Sequence, residues 1–219
     1  MAALRVVRIV VVGVLLVAGL AGCGGGAKNQ VSANYSTSID GPVVVAGKAA
    51  SSTVDVYEDF LCPICGRFEA NFGGKLTQAI NDGKIQVRYH PVAILNRATN
   101  PPGYSLRAAN AGICSAEVGV FPAYHAKLFD GDTQPHEGSA GLTDQQLIDL
   151  GNQVGAPAAF ANCVTSGKYS KAVTAETNRA AKDASLRGQG SNSFGTPTVT
   201  VNGKRADLSD DDWLTNITK

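Results

Sequence analysis

The chain has 219 residues, enough for one domain of ordinary size with appendages and too few for two, since a single core holds roughly 100–200 residues. Lys and Arg number 19 against 18 for Asp and Glu, which leaves no electrostatic argument for binding nucleic acid, and a hydrophobic share of 44% with 17% charged residues excludes a wholly disordered chain. The 5 cysteines are too few for a disulfide-rich miniature scaffold, and their odd number requires that at least one be free, modified or paired in trans.

At the N-terminus, Arg5 and Arg8 precede an apolar run from Ile9 to Ala18, and Leu20-Ala21-Gly22 stand immediately before Cys23. Residues 1–22 read as a signal peptide. Leu20 to Cys23 resemble the lipobox of bacterial lipoproteins, which implies that Cys23 is acylated and becomes the first residue of the mature chain. A plain secretory signal and an uncleaved anchor are the alternatives. Gly24-Gly25-Gly26 and the polar stretch to about Ile39 read as a flexible tether, residues 23–41, that holds a domain of residues 42–219 roughly 20–25 Å from its anchor. These readings place the domain on the extracytoplasmic face of a bacterial cell membrane. That compartment is oxidising, so the remaining cysteines are read as disulfide chemistry before metal chemistry.

Pro42 to Ala46 is a short apolar segment, and Thr53-Val54-Asp55-Val56-Tyr57 alternates as a strand does. Glu58-Asp59-Phe60-Leu61 then leads into Cys62-Pro63-Ile64-Cys65. Proline is favoured just inside a helix start, and Phe68, Phe72, Leu76 and Ile80 follow at helical spacing until Asn81-Asp82-Gly83. One helix is predicted from Pro63 to Ile80. Between Lys84 and Pro91 the alternation of Ile85, Val87 and Tyr89 predicts a second strand. From Tyr104 to Arg187 the pattern is helical, after which residues 188–195, rich in Gly and Ser, break it. Thr198 to Val201 is a strand with Asn202-Gly203 as its turn, and a last helix near Ser209 to Ile217 would bury Trp213 and Leu214. This order suits an α/β core with a large helical insertion at about residues 100–188.

The chemistry centres on Cys62-Pro63-Ile64-Cys65 at a strand-to-helix junction. A cysteine at a helix N-terminus faces unpaired backbone N–H groups and the positive end of the helix dipole, both of which favour thiolate over thiol. Cys62 is therefore the candidate nucleophile. Cys65 lies about one turn further on, placed to form a small-ring disulfide or to resolve a mixed one. The bland readings are an inert disulfide or half of a zinc site, but zinc needs four ligands and the sequence holds a single Cys-x-x-Cys.

Residues 57–68, Tyr-Glu-Asp-Phe-Leu-Cys-Pro-Ile-Cys-Gly-Arg-Phe, resemble the active-site segment of the DsbA-like branch of thioredoxin-fold thiol–disulfide oxidoreductases, and Gly195-Thr196-Pro197-Thr198 resembles its cis-proline segment. The resemblance implies a thioredoxin fold with a helical insertion, Cys62 as attacking thiol, Cys65 as its partner, and Pro197 in cis beside them with Thr196 before it. It also implies reoxidation by a quinone-linked membrane oxidase. No metal, nucleotide or flavin is called for. Two departures stand out: the acid many relatives carry six residues before the first cysteine falls on Val56, and Pro63-Ile64 lacks the histidine of the most oxidising relatives. Glu58 and Asp59 are close enough in sequence to substitute for that acid, but read first as solvated loop charges.

Cys114 and Cys163, both on predicted helices, are expected to bond to one another in an exported domain, with two buried thiols as the alternative. His90, His125 and His136 read as structural or solvated. Phe60, Pro63, Ile64 and Phe194 are the candidates for an apolar groove around Cys62 that would bind exposed side chains of unfolded chains. The combined reading is a lipid-anchored dithiol oxidase acting on unfolded or partly folded exported proteins with free thiols. A reductase or isomerase of the same compartment, and a non-catalytic thioredoxin-fold lipoprotein binding module, are the alternatives.

Overall fold

The computed structural model describes residues 31–188 and 190–219, so the expected signal peptide, Cys23 and most of the expected tether lie outside the described residues. Among the described residues six strands form one sheet: β1 (Thr37–Asp40), β2 (Val43–Ala46), β3 (Ser52–Glu58), β4 (Ile85–Pro91), β5 (Thr198–Val201) and β6 (Lys204–Arg205), in the order β1-β2-β4-β3-β5-β6. β3 runs parallel to β4 and antiparallel to β5, at the centre of the sheet. The sheet therefore begins inside the stretch expected as tether. Ile39 sits opposite Val44 in the β1–β2 pair and packs on the core, which accounts for a strand in an otherwise polar stretch.

Alternation along β3 divides the sheet into two unlike faces. Val54 and Val56 pair with Val87 and Tyr89 on one side and with Val201 and Val199 on the other. This apolar face packs against Phe68, Phe72, Leu76 and Ile80. On the opposite face Asp55 lies across from Arg88 and Thr200, and Tyr57 across from His90 and Thr198.

The predicted first helix is three consecutive pieces: α1 (Pro63–Phe68), a wide π turn (Glu69–Gly73) and α2 (Gly74–Asn81). Apolar spacing continues through the break, which is why the sequence reads as one helix. Within the wide turn, a Cβ on Gly73 would meet the Glu69 carboxylate, so glycine leaves room for that side chain to fold back.

The insertion carries α3 (Tyr104–Glu117), α4 (Phe121–Leu128), α5 (Asp144–Gln153), α6 (Ala158–Thr165) and α7 (Ser170–Lys182). Its second core joins Tyr104, Tyr124, Leu128, Leu147 and Phe160 to Phe60, Leu61, Cys62 and Cys65. The cysteine loop is thus shared between the sheet and the insertion. α7 is fastened to the polar face of the sheet: His90 bridges Asp55 (3.0 Å) and Glu176 (2.8 Å), and Arg179 reaches both Glu176 and the Tyr57 hydroxyl. Although burial raises a carboxyl, Arg179 and His90 hold Glu176 down at about 2.

The last helix, α8 (Trp213–Ile217), is shorter than predicted. Asp207 accepts hydrogen bonds from the Ser209 backbone and hydroxyl, and Asp210 accepts one from the Asp212 backbone. These local bonds compete with helix formation over residues 209–212. Trp213 and Leu214 are buried as the sequence pattern requires.

Cys114 in α3 and Cys163 in α6 form a disulfide with Cα atoms 5.8 Å apart and a sequence separation of 49. Closing a loop of that size restricts the unfolded chain by about 4 kcal/mol in the chain-entropy picture. Replacing both cysteines by alanine is expected to lower unfolding stability in urea by about 2–4 kcal/mol. A loss below about 1 kcal/mol would show that helix packing alone holds α3 to α6.

Candidate active site

β3 ends at Glu58, and four residues later the chain enters α1 through Cys62, the residue that caps it, with Pro63 in the first turn. Asp59 builds the connection. Its carboxylate accepts the Leu61 N–H (2.9 Å) and the Leu95 N–H (2.9 Å), and its carbonyl accepts the Cys62 N–H (2.9 Å). Side chain and backbone of one residue therefore fix the turn that presents Cys62.

Both thiols are free. Cys62 is only 5% exposed and its thiol donates to the Thr196 carbonyl at 3.3 Å. The Thr196–Pro197 peptide bond is cis. The hydrogen bond from Cys65 pulls the Cys62 pKa down to about 5 against the cost of burial, with help from Thr196 and from the Cys65 and Ile64 backbone N–H groups at the helix start. Burial, together with the neighbouring Cys62, pushes Cys65 well above the ordinary thiol value. Two thiols one turn apart are thus driven in opposite directions, one poised as thiolate and one held as thiol.

Glu58 and Asp59 are buried, at 2% and 0% exposure, where solvated charges were expected. The reason lies in strand period: β3 continues through Glu58, so Glu58 shares the face of Val54 and Val56. There it meets His125 Nε2 from α4 at 2.7 Å, while Glu69 from the π turn lies 3.7 Å from Nδ1. Burial disfavours an imidazolium, but the two carboxylates outweigh it and raise His125 to about 10. Burial likewise pushes Asp59 up to about 6, despite its two backbone hydrogen bonds. His125 and His90 are buried beside carboxylates, and His136 is exposed.

The groove residues separate into two groups. Pro63 and Ile64 are exposed beside Cys62, Ile64 at 50%. Phe60 is fully buried, its ring packed on Phe129 (4.9 Å) and His125 (5.8 Å), and so offers no surface to a substrate. Phe194, half-buried, stands edge-on to Tyr57 at 5.9 Å. The apolar surface at Cys62 is formed by the two residues between the cysteines.

A thioredoxin fold carrying a reactive Cys-x-x-Cys pair against a cis-proline loop defines a thiol–disulfide oxidoreductase. The thioredoxin family matches residues 39–219, and the chain belongs to that family, in its DsbA-like branch. Among solved structures it is 35% identical to reduced DsbA from Mycobacterium tuberculosis, covering 76% of this chain and 80% of that one with a TM-score of 0.65. It is 36% identical to the reduced disulfide bond oxidoreductase DsbG of the same organism, covering 76% of each chain with a TM-score of 0.64. MdbA from Corynebacterium diphtheriae shares the fold at 22% identity, with a TM-score of 0.73 over 87% of this chain and 97% of that one. Serine/threonine-protein kinase PknE of Mycobacterium tuberculosis is 31% identical over 80% of this chain, which spans 31% of the kinase's length.

The low Cys62 value has a consequence for stability. An unfolded cysteine titrates near about 8.5, so folding stabilises the thiolate fully above that pH, and the contribution is lost as pH falls through about 5. Relative to Cys62→Ser, the reduced protein should lose stability from about pH 9 to pH 5, at no more than about 1.4 kcal/mol per unit. Urea unfolding of both proteins across that range checks it. Parallel curves would mean that Cys62 has an ordinary thiol pKa.

Proposed function

We propose that this oxidoreductase is a dithiol oxidase that introduces disulfides into exported proteins. The observation that carries the reading is the depressed pKa of Cys62 beside a partner whose pKa is raised. A client thiolate attacks Cys62 Sγ of the Cys62–Cys65 disulfide, and Cys65 leaves, taking up a proton to become the thiol that its burial favours. A second client thiolate then attacks the client sulfur of the mixed disulfide and displaces Cys62. A thiol of low pKa is a good leaving group, so the release step is fast. Two electrons pass to the enzyme and one disulfide to the client. The exposed Pro63 and Ile64 offer the client apolar contact without demanding a sequence.

For the next turnover the reduced pair needs an acceptor, and a quinone-linked membrane oxidase fits that role. Lipid attachment at Cys23 would keep the domain at the extracytoplasmic face beside such a partner. Among the described residues no helix is long and apolar enough to cross a membrane.

The test is oxidative refolding of reduced, unfolded ribonuclease by the protein in its disulfide form. The wild type should transfer one disulfide per enzyme rapidly. Cys62→Ser should transfer none, whereas Cys65→Ser, treated to activate Cys62, should accumulate mixed disulfides with the client. Faster reduction of insulin than oxidation of ribonuclease would favour a reductase, and a wild type that transfers no disulfide in either direction would leave a binding module. Acyl labelling that persists in Cys23→Ala would remove the lipid anchor.

A further inference from the structure

The segment between α4 and α5 carries a side chain that touches the redox loop directly. Gln134 Nε2 donates to the Phe60 carbonyl at 3.1 Å and to the Cys62 carbonyl at 3.0 Å. These two carbonyls lie within the turn closed by the Cys62 N–H on the Asp59 carbonyl, so one amide group with two hydrogens spans it. The Phe60 carbonyl accepts no other hydrogen bond among the described residues. The Cys62 carbonyl also accepts the Gly66 N–H at 3.1 Å, the bond that starts α1.

A second observation shows that the helix makes room for this contact. A Cβ on Gly66 would collide with the Gln134 carboxamide oxygen. Glycine is a poor helix residue and here has an ordinary helical conformation, so its value lies in the missing side chain. Glycine directly after the second cysteine and glutamine 72 residues beyond Cys62 thus form one steric and hydrogen-bonding unit.

We infer that Gln134 is a positioning residue for Cys62: its carboxamide clamps the Phe60 and Cys62 carbonyls, and through them holds the cysteine sulfur at the first backbone N–H groups of α1. Without it the two carbonyl oxygens lose a shared donor. Their negative ends would face the turn uncompensated, and among the described residues the loop that aims Cys62 would lose its side-chain hydrogen bonds from the α4–α5 segment. Either change weakens stabilisation of the thiolate. The proposal concerns the redox pair itself and holds whichever way electrons flow.

The experiment uses the whole chain and two readouts: thiolate absorbance at about 240 nm against pH, and equilibrium with reduced and oxidised glutathione. Gln134→Ala should raise the Cys62 titration midpoint and shift the glutathione equilibrium about two- to tenfold toward the oxidised enzyme, the effect of one hydrogen-bond contact. Gln134→Glu, which turns a donor into a charged acceptor, should shift both further the same way. Gly66→Ala should behave like Gln134→Ala although alanine is the better helix former, and His136→Ala, exposed in the same segment, should behave like the parent. If Gln134→Ala lowers only the thermal midpoint and leaves both readouts unchanged, the contact merely ties down a loop and the proposal fails. Should Gln134→Ala not fold, Gly66→Ala decides by the same two readouts.

Discussion

The site depends on lowering the pKa of a sulfur at the mouth of a six-residue helix while almost no water reaches it. Burial works against such a charge, so every nearby donor counts. Cys65 and the first backbone N–H groups of α1 supply that compensation, and the cis-proline loop meets the same sulfur from the far end of the sequence. The sheet makes this convergence possible. β3 carries the chain to Cys62 and its antiparallel neighbour β5 begins directly after Pro197, so pairing of β3 with β5 brings the two motifs together across 134 residues.

Around that centre the domain buries acids as well as apolar groups. Asp59 spends its carboxylate on two backbone N–H groups, and Glu58 on the imidazolium of His125. Such pairs add little net stability over apolar residues of equal size, because desolvation offsets attraction, but leaving one partner alone would be costly. Their effect is to register one element against another. Glu58 and His125 lock β3 to α4, and the π turn brings Glu69 toward the same imidazole. On the other face of the sheet, Asp55, His90, Glu176 and Arg179 do the same for α7.

What was legible in the sequence was local. The reactive pair, the strand before it, the proline entry to the helix and the proline before β5 each carry their signal within a few residues, and these are the parts that form the redox centre. Less legible were features whose cause lies far along the chain. Glu58 looks like a loop charge until strand period and a histidine 67 residues away are considered together. Phe60 looks like a groove residue because nothing local reveals that Gly112 of α3 leaves space for its ring. The strand at Thr37 was hidden for the same reason, since a short polar edge strand depends on the partner that pairs with it.

The central claim is that stabilising the Cys62 thiolate makes the Cys62–Cys65 disulfide a ready acceptor of electrons. The most direct test is the reduction potential of this couple, measured by equilibration with glutathione and counting of free thiols. The account predicts a value toward about −120 mV, the range of strong dithiol oxidants. A value near about −270 mV, the range of an electron-donating thioredoxin, would contradict it.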